Sequence, residues 1–144
     1  MTEDDGLALS TLAAKKVMGW CPEAPLGSLP QMFWVGQDDM TVEVVSHWRP
    51  DRNIAQAFRV LRTNPNWRLC LSESDAYEVR VDLCGEHGFL GWGAAVVHND
   101  DWNRACCEAI LRACLKACGV EDPAHARIEA VGRAVAHALR QEAP

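Results

Sequence analysis

No apolar run in this chain approaches the roughly 20 residues that a membrane-spanning helix needs. The opening Met1-Thr2-Glu3-Asp4-Asp5 is acidic, where a secretory signal would be basic and then apolar. Contact with a membrane is therefore not expected, and a cytoplasmic location is. Basic charge is also scarce. The formal net charge is −6, and general nucleic-acid binding depends on a basic footprint that neutralises phosphates. A disulfide framework is missing as well: the seven cysteines are odd in number, and four of them crowd into Cys106 to Cys118, so reduced thiols are expected. The glycine-rich stretch Gly85 to Gly93 lacks the lysine and the helix start of a phosphate-cradling loop, and turn geometry accounts for its glycines. There is no internal repeat, low-complexity tract or linker. What remains is a chain of 144 residues with 49% hydrophobic content, enough for one domain to bury a core without a metal or cross-link.

Periodicity organises that domain. Leu9, Leu12, Ala13, Val17 and Trp20 follow helical spacing, predicting a first helix over 7–18 that Gly19 terminates. Prolines, glycines and aromatics between Gly19 and Asp39 predict a long irregular segment with one short strand at Met32 to Val35. Thr41 to Trp48 reads as a strand stopped by Pro50, and Asp51 is placed to cap a second helix carrying Ile54, Ala57, Phe58 and Leu61. Strands follow at Trp67 to Ser72, at Tyr77 to Leu83 and at Gly93 to His98, forming a meander. The alternation of Glu78, Arg80 and Asp82 with Val79, Val81 and Leu83 requires one face in water.

Asn99-Asp100-Asp101 offers caps for a third helix ending at Gly119, with Arg104, Glu108, Arg112 and Lys116 on one stripe of an otherwise apolar surface. Asp122-Pro123 opens a fourth, amphipathic helix through Ile128, Val131, Val135 and Leu139. The expected class is α+β: a largely antiparallel sheet of about four strands packed with helices as a partial α-β-α sandwich. Its core spans about residues 7–118 of a single domain 1–144, with a helical extension at about 122–141.

Three stretches carry a family resemblance. Lys16-Val17-Met18-Gly19-Trp20, Trp48-Arg49-Pro50-Asp51 with Ile54 and Ala55, and the alanine-rich Ala105 to Ala117 occur in an order and spacing that resembles the phage ABA-sandwich domain. The resemblance covers about residues 7–118 and implies a helix-sheet-helix core and a phage or prophage origin, hence the cytoplasm of the host cell. It implies no common catalytic set. Asp51-Arg52-Asn53 departs from the small polar residues that usually follow the family's proline.

Four constellations bear on chemistry. His47, Arg49 and Arg52 stand where the second helix begins, and free N–H groups with the positive end of the helix dipole favour an anion there. Trp20, Trp34 or Trp48 stacking on a base while the arginines hold phosphate completes a nucleotide-binding arrangement. The competing account makes the tryptophans core and the arginines a solvated helix face. Cys84-Gly85-Glu86-His87 and the Cys114/Cys118 pair have zinc-like spacing, although cysteines among alanines and leucines act as small hydrophobes. Cys84 or Cys21 with His87, His98 or His47 would suit nucleophilic catalysis, but nothing local selects a pair. The fourth helix either covers the sheet or joins two copies as a homo-oligomer.

No cofactor, metal or catalytic residue is thereby assigned. The expectation is a non-enzymatic phage accessory protein that binds a host protein or sequesters a small anionic, nucleotide-like ligand of host defence. The alternatives are a small hydrolase or transferase acting on a nucleotide or phosphoester, and a homo-oligomeric interaction module.

Overall fold

A computed structural model of the chain describes residues 3–23, 33–36, 41–71 and 77–120. Helix α1 (Glu3–Leu12) starts earlier than the apolar periodicity and passes into a π-helical turn, Ala13–Val17. That turn closes by Met18 N–H donating to the Ala13 carbonyl at 3.0 Å and Trp20 N–H to the Ala14 carbonyl at 2.9 Å. Gly19 sits between them at φ 72°, a conformation that a side chain disfavours, and so terminates the helix as its position predicts.

Strands β1 (Cys21–Glu23), β2 (Phe33–Val35) and β3 (Thr41–Val44) form an antiparallel sheet in that order. The short strand expected at Met32 to Val35 is β2, while β1 is new. It contains Pro22, which an edge strand tolerates. The strand expected to run through Trp48 stops at Val44, and Val45–His47 turns as a 3-10 helix. Side-chain bonds explain the difference: the Gln56 amide accepts from Arg49 N–H at 2.6 Å and donates to the His47 carbonyl at 2.9 Å, folding this segment onto the next helix.

That helix, α2 (Ile54–Leu61), is capped by Asn53, whose side chain accepts from Gln56 N–H at 3.2 Å. The cap expected at Asp51 is therefore two residues off, because the Asp51 carboxylate turns inward to Arg49 instead.

Strands β4 (Arg68–Leu71), β5 (Glu78–Gly85) and β6 (Gly88–Val96) make a second antiparallel sheet, the expected meander. Among the described residues the strands thus divide into two three-stranded sheets, where a single sheet of about four is expected. β6 begins earlier than Gly93, because Glu86-His87 forms a two-residue turn between the paired Gly85 and Gly88, with Gly88 at φ 114°. Gly93 has no turn role. It lies mid-strand where helix α3 (Trp102–Ala117) crosses, and a Cβ there would run into the Ala109 carbonyl and the Arg112 side chain.

Val79 and Leu83 are buried towards α3, while Arg80 and Asp82 pair at 3.3 Å on the open face with side chains 41% and 25% exposed. The helices and both sheets meet in one core that includes Leu9, Trp20, Trp34, Trp48, Leu83 and Leu111. The fold is α+β. The helix expected at about 122–141 lies outside the described residues. No helix among the described residues is long and apolar enough to cross a membrane.

Candidate functional site

At the start of α2 the structure brings several sequence-selected residues together in an arrangement that leaves little room for a ligand. Arg49 donates from Nε to Asp51 Oδ1 and from Nη2 to Asp51 Oδ2, each at 2.8 Å, a bidentate pair with the carboxylate fully buried. The Ser10 hydroxyl of α1 donates to Asp51 Oδ1 at 2.8 Å, and the Ser10 carbonyl accepts from Trp48 Nε1 at 3.0 Å. Gly6 permits this approach of α1, because a Cβ there would collide with the Asp51 carboxylate. Burial raises the Asp51 pKa, but hydrogen bonds from Arg49 and Ser10, with the charges of Arg49 and Arg52, outweigh it and leave the group below its ordinary value.

The tryptophans are equally occupied. Trp20 and Trp48 rings lie 4.7 Å apart at 60°, and the Arg59 guanidinium covers both, 5.1 Å and 5.7 Å from their centroids. Arg59 also meets Glu43 at 3.9 Å. Trp34 is buried in the same core, and its indole N–H has no hydrogen-bond partner among the described residues. His47 and Arg52 are exposed, and their backbone carbonyls accept from Gln56 and from Asn103 of α3. Of the six residues selected for ligand binding, Trp20, Trp34, Trp48 and Arg49 are thus buried, and only His47 and Arg52 face outward.

A second cluster is built where β6 gives way to α3, at the run of cap residues Asn99-Asp100-Asp101. Asp101 is the N-cap of α3, accepting from Arg104 N–H at 3.0 Å. Asn99 and Asp100 before it hold φ of 53° and 58°, two consecutive left-handed residues of the types that best tolerate that conformation. Beside this turn lies a cavity of about 330 Å³ lined by Val96, His98, Asn99, Asp101, Arg104, Ala105 and Glu108. Arg104 Nε donates to Glu108 Oε1 at 3.1 Å across one helical turn, and the Glu108 side chain is only 5% exposed. Burial pushes the Glu108 carboxyl above its ordinary value, although the Arg104 hydrogen bond and the Arg112 and Arg104 charges pull the other way. Further along the same stripe Arg112 donates to the Ala94 carbonyl of the edge strand β6, and Lys116 reaches over Trp92 at 4.9 Å.

The thiols divide by burial. Cys107 and Cys114 are fully buried and their pKa values are pushed up to about 12, chiefly by desolvation, so both remain protonated. No cysteine lines the cavity that contains His98. His87 lies in the hairpin turn next to Cys84, while Cys114 sits in the core on α3. Among the described residues no three histidine, cysteine or carboxylate side chains gather as a metal site.

The fold and its polar clusters define a small mixed antiparallel α+β protein whose described residues include the buried Arg49–Asp51 ion pair and a carboxyl-lined cavity. Beyond that class, no family model matches the chain, and comparison with curated proteins and with solved structures gives no match.

Proposed function

We propose that this chain acts by binding a small molecule, and that the cavity between β6 and α3 is the site. One observation carries the reading: the cavity holds a guanidinium, two carboxyl groups and an imidazole around about 330 Å³, the volume of a small-ligand pocket. The start of α2 is a weaker candidate, since both Arg49 and Asp51 are buried there.

Mixed charge in the cavity favours a ring bearing both donors and acceptors over a bare phosphate. Glu108 and Asp101 line the cavity together with Arg104 and His98, and this mix of donors and acceptors suits the edge of a nucleobase. The ligand class is therefore nucleoside-like, with its sugar, or sugar and phosphate, directed to solvent. This is compatible with the accessory, ligand-sequestering role expected from the sequence. A specific observation favours one rival, a small enzyme acting on the same ligand: His98 and a carboxyl of raised pKa in one cavity are a general acid-base set.

The test is calorimetric titration with adenosine, guanosine, cytidine, uridine and their 5′-monophosphates, repeated on Arg104→Ala and Glu108→Gln with folding checked by circular dichroism. The expected result is saturable binding weakened at least tenfold in both variants. Absence of binding to every probe, or undiminished affinity in both folded variants, would reject the cavity. Recovering the bound probe after denaturation decides the rest, since intact probe fits sequestration and altered probe establishes turnover.

A further inference from the structure

The open face of the second sheet carries a feature that the binding reading does not use. Cys70 lies on β4 opposite Asp82, and Cys84 lies on β5 opposite Arg68. Because alternate residues of a strand share a face and diagonal neighbours lie within reach, the two cysteines project side by side on the face that Arg80 and Asp82 occupy. Their sulfurs are 2.6 Å apart, inside the ~3.5–4.0 Å at which non-bonded heavy atoms come to rest. Both residues are partly exposed, so a small reagent can reach them, whereas Cys107 and Cys114 are sealed in the core.

We propose that Cys70 and Cys84 form a redox-reactive dithiol that closes to an intramolecular disulfide on meeting a low-molecular-weight disulfide. In the first step the Cys70 thiolate attacks one sulfur of the reagent R–S–S–R, forming a mixed disulfide and releasing RS⁻, which takes up the proton that Cys70 lost. In the second the Cys84 thiolate attacks the Cys70 sulfur, forming the Cys70–Cys84 bond and expelling the second RS⁻. The balance is two protein thiols oxidised, one reagent disulfide reduced and two R–SH produced.

The Cys84 pKa is raised, first by its hydrogen bond with Cys70, then by burial and by the Cys70 and Asp82 charges. Capping Cys70 as a mixed disulfide removes that hydrogen bond, which eases ionisation of Cys84 for the second step. Closure fastens β4, an edge strand of four residues, to the central strand β5.

The experiment treats the reduced full-length protein with oxidised glutathione, traps remaining thiols by alkylation in acid, and reads intact mass and non-reduced peptide maps. The expected result is Cys70 and Cys84 in one linked peptide with no glutathione retained on either, whatever adducts form on exposed Cys21 and Cys118. Cys84→Ser should hold glutathione on Cys70 without a cross-link. Full alkylation of both cysteines, linkage of either to a different cysteine, or a stable glutathione adduct on wild-type Cys70 would overturn the proposal.

Discussion

The Arg49 guanidinium and the Asp51 carboxylate, two residues apart on either side of Pro50, form a bidentate ion pair of two 2.8 Å bonds with the carboxylate wholly out of water. Ser10 and Trp48 join it, so that the pair fixes how α1 meets the turn before α2.

Removing one partner should therefore cost more than removing both. Asp51→Ala leaves a buried guanidinium without its counter-ion and is expected to destabilise the protein by about 3–5 kcal/mol in urea unfolding. Arg49→Met combined with Asp51→Leu should recover most of that loss. A double variant as unstable as the two single changes added together would show that the groups are not coupled.

Acid should act through the same carboxylate. The folded Asp51 pKa lies below its ordinary 3.8, so the native state binds fewer protons there than the unfolded chain. The stability it contributes is present above pH 3.8 and is lost as pH falls from there through the lower folded value. Asp51→Asn should abolish this part of the acid dependence in unfolding midpoints measured between about pH 5 and pH 2.

Glu108 carries the opposite sign. Its folded pKa lies above the ordinary 4.5, so the native state holds the proton more tightly and stability is lost as pH rises from 4.5 through the folded value. Relative to wild type, Glu108→Gln should become more favourable across that window, read as a growing difference in unfolding midpoint. A constant difference over the same range would show that the carboxyl titrates alike in both states.

Gly93→Ala tests the approach of α3 to β6. The added methyl meets the helix backbone at Ala109, which cannot rotate away as a side-chain tip can. A loss of about 3 kcal/mol is expected in thermal or urea unfolding. The same change at Gly88, where nothing lies within 4 Å, strains only the turn and should cost less.

Thiol labelling should follow burial. Cys107 and Cys114, with pKa values pushed up to about 12, should resist iodoacetamide in the native protein, while exposed Cys21 reacts at once. Equal rates for the three would contradict the packing of α3.

Local pattern was enough for much of the architecture. Gly19 ends the first helix, Ile54, Ala57, Phe58 and Leu61 lie on α2, and the alternation through Glu78, Arg80 and Asp82 gives β5 one open face. Each depends on interactions within a few residues or on the spacing of apolar side chains, which the sequence contains in full. The candidate site was less legible. Asp51 has the chemistry of a helix cap, and Arg49 that of an anion anchor, until each is given its neighbour. Asn99-Asp100-Asp101 reads as spare caps, and only the packed structure places Asn99 and Asp101 on a cavity shared with Glu108.

The sequence by itself thus determined the α+β class, the order of most described elements and the wet face of β5. Tertiary structure alone decided that the strands split into two sheets, that Ser10 reaches Asp51 across 41 residues, that Arg49 is neutralised, and that Cys70 meets Cys84. The physical reason is desolvation. A charged or polar side chain removed from water must find a partner wherever the packed chain supplies one, and that partner carries no mark in the local sequence.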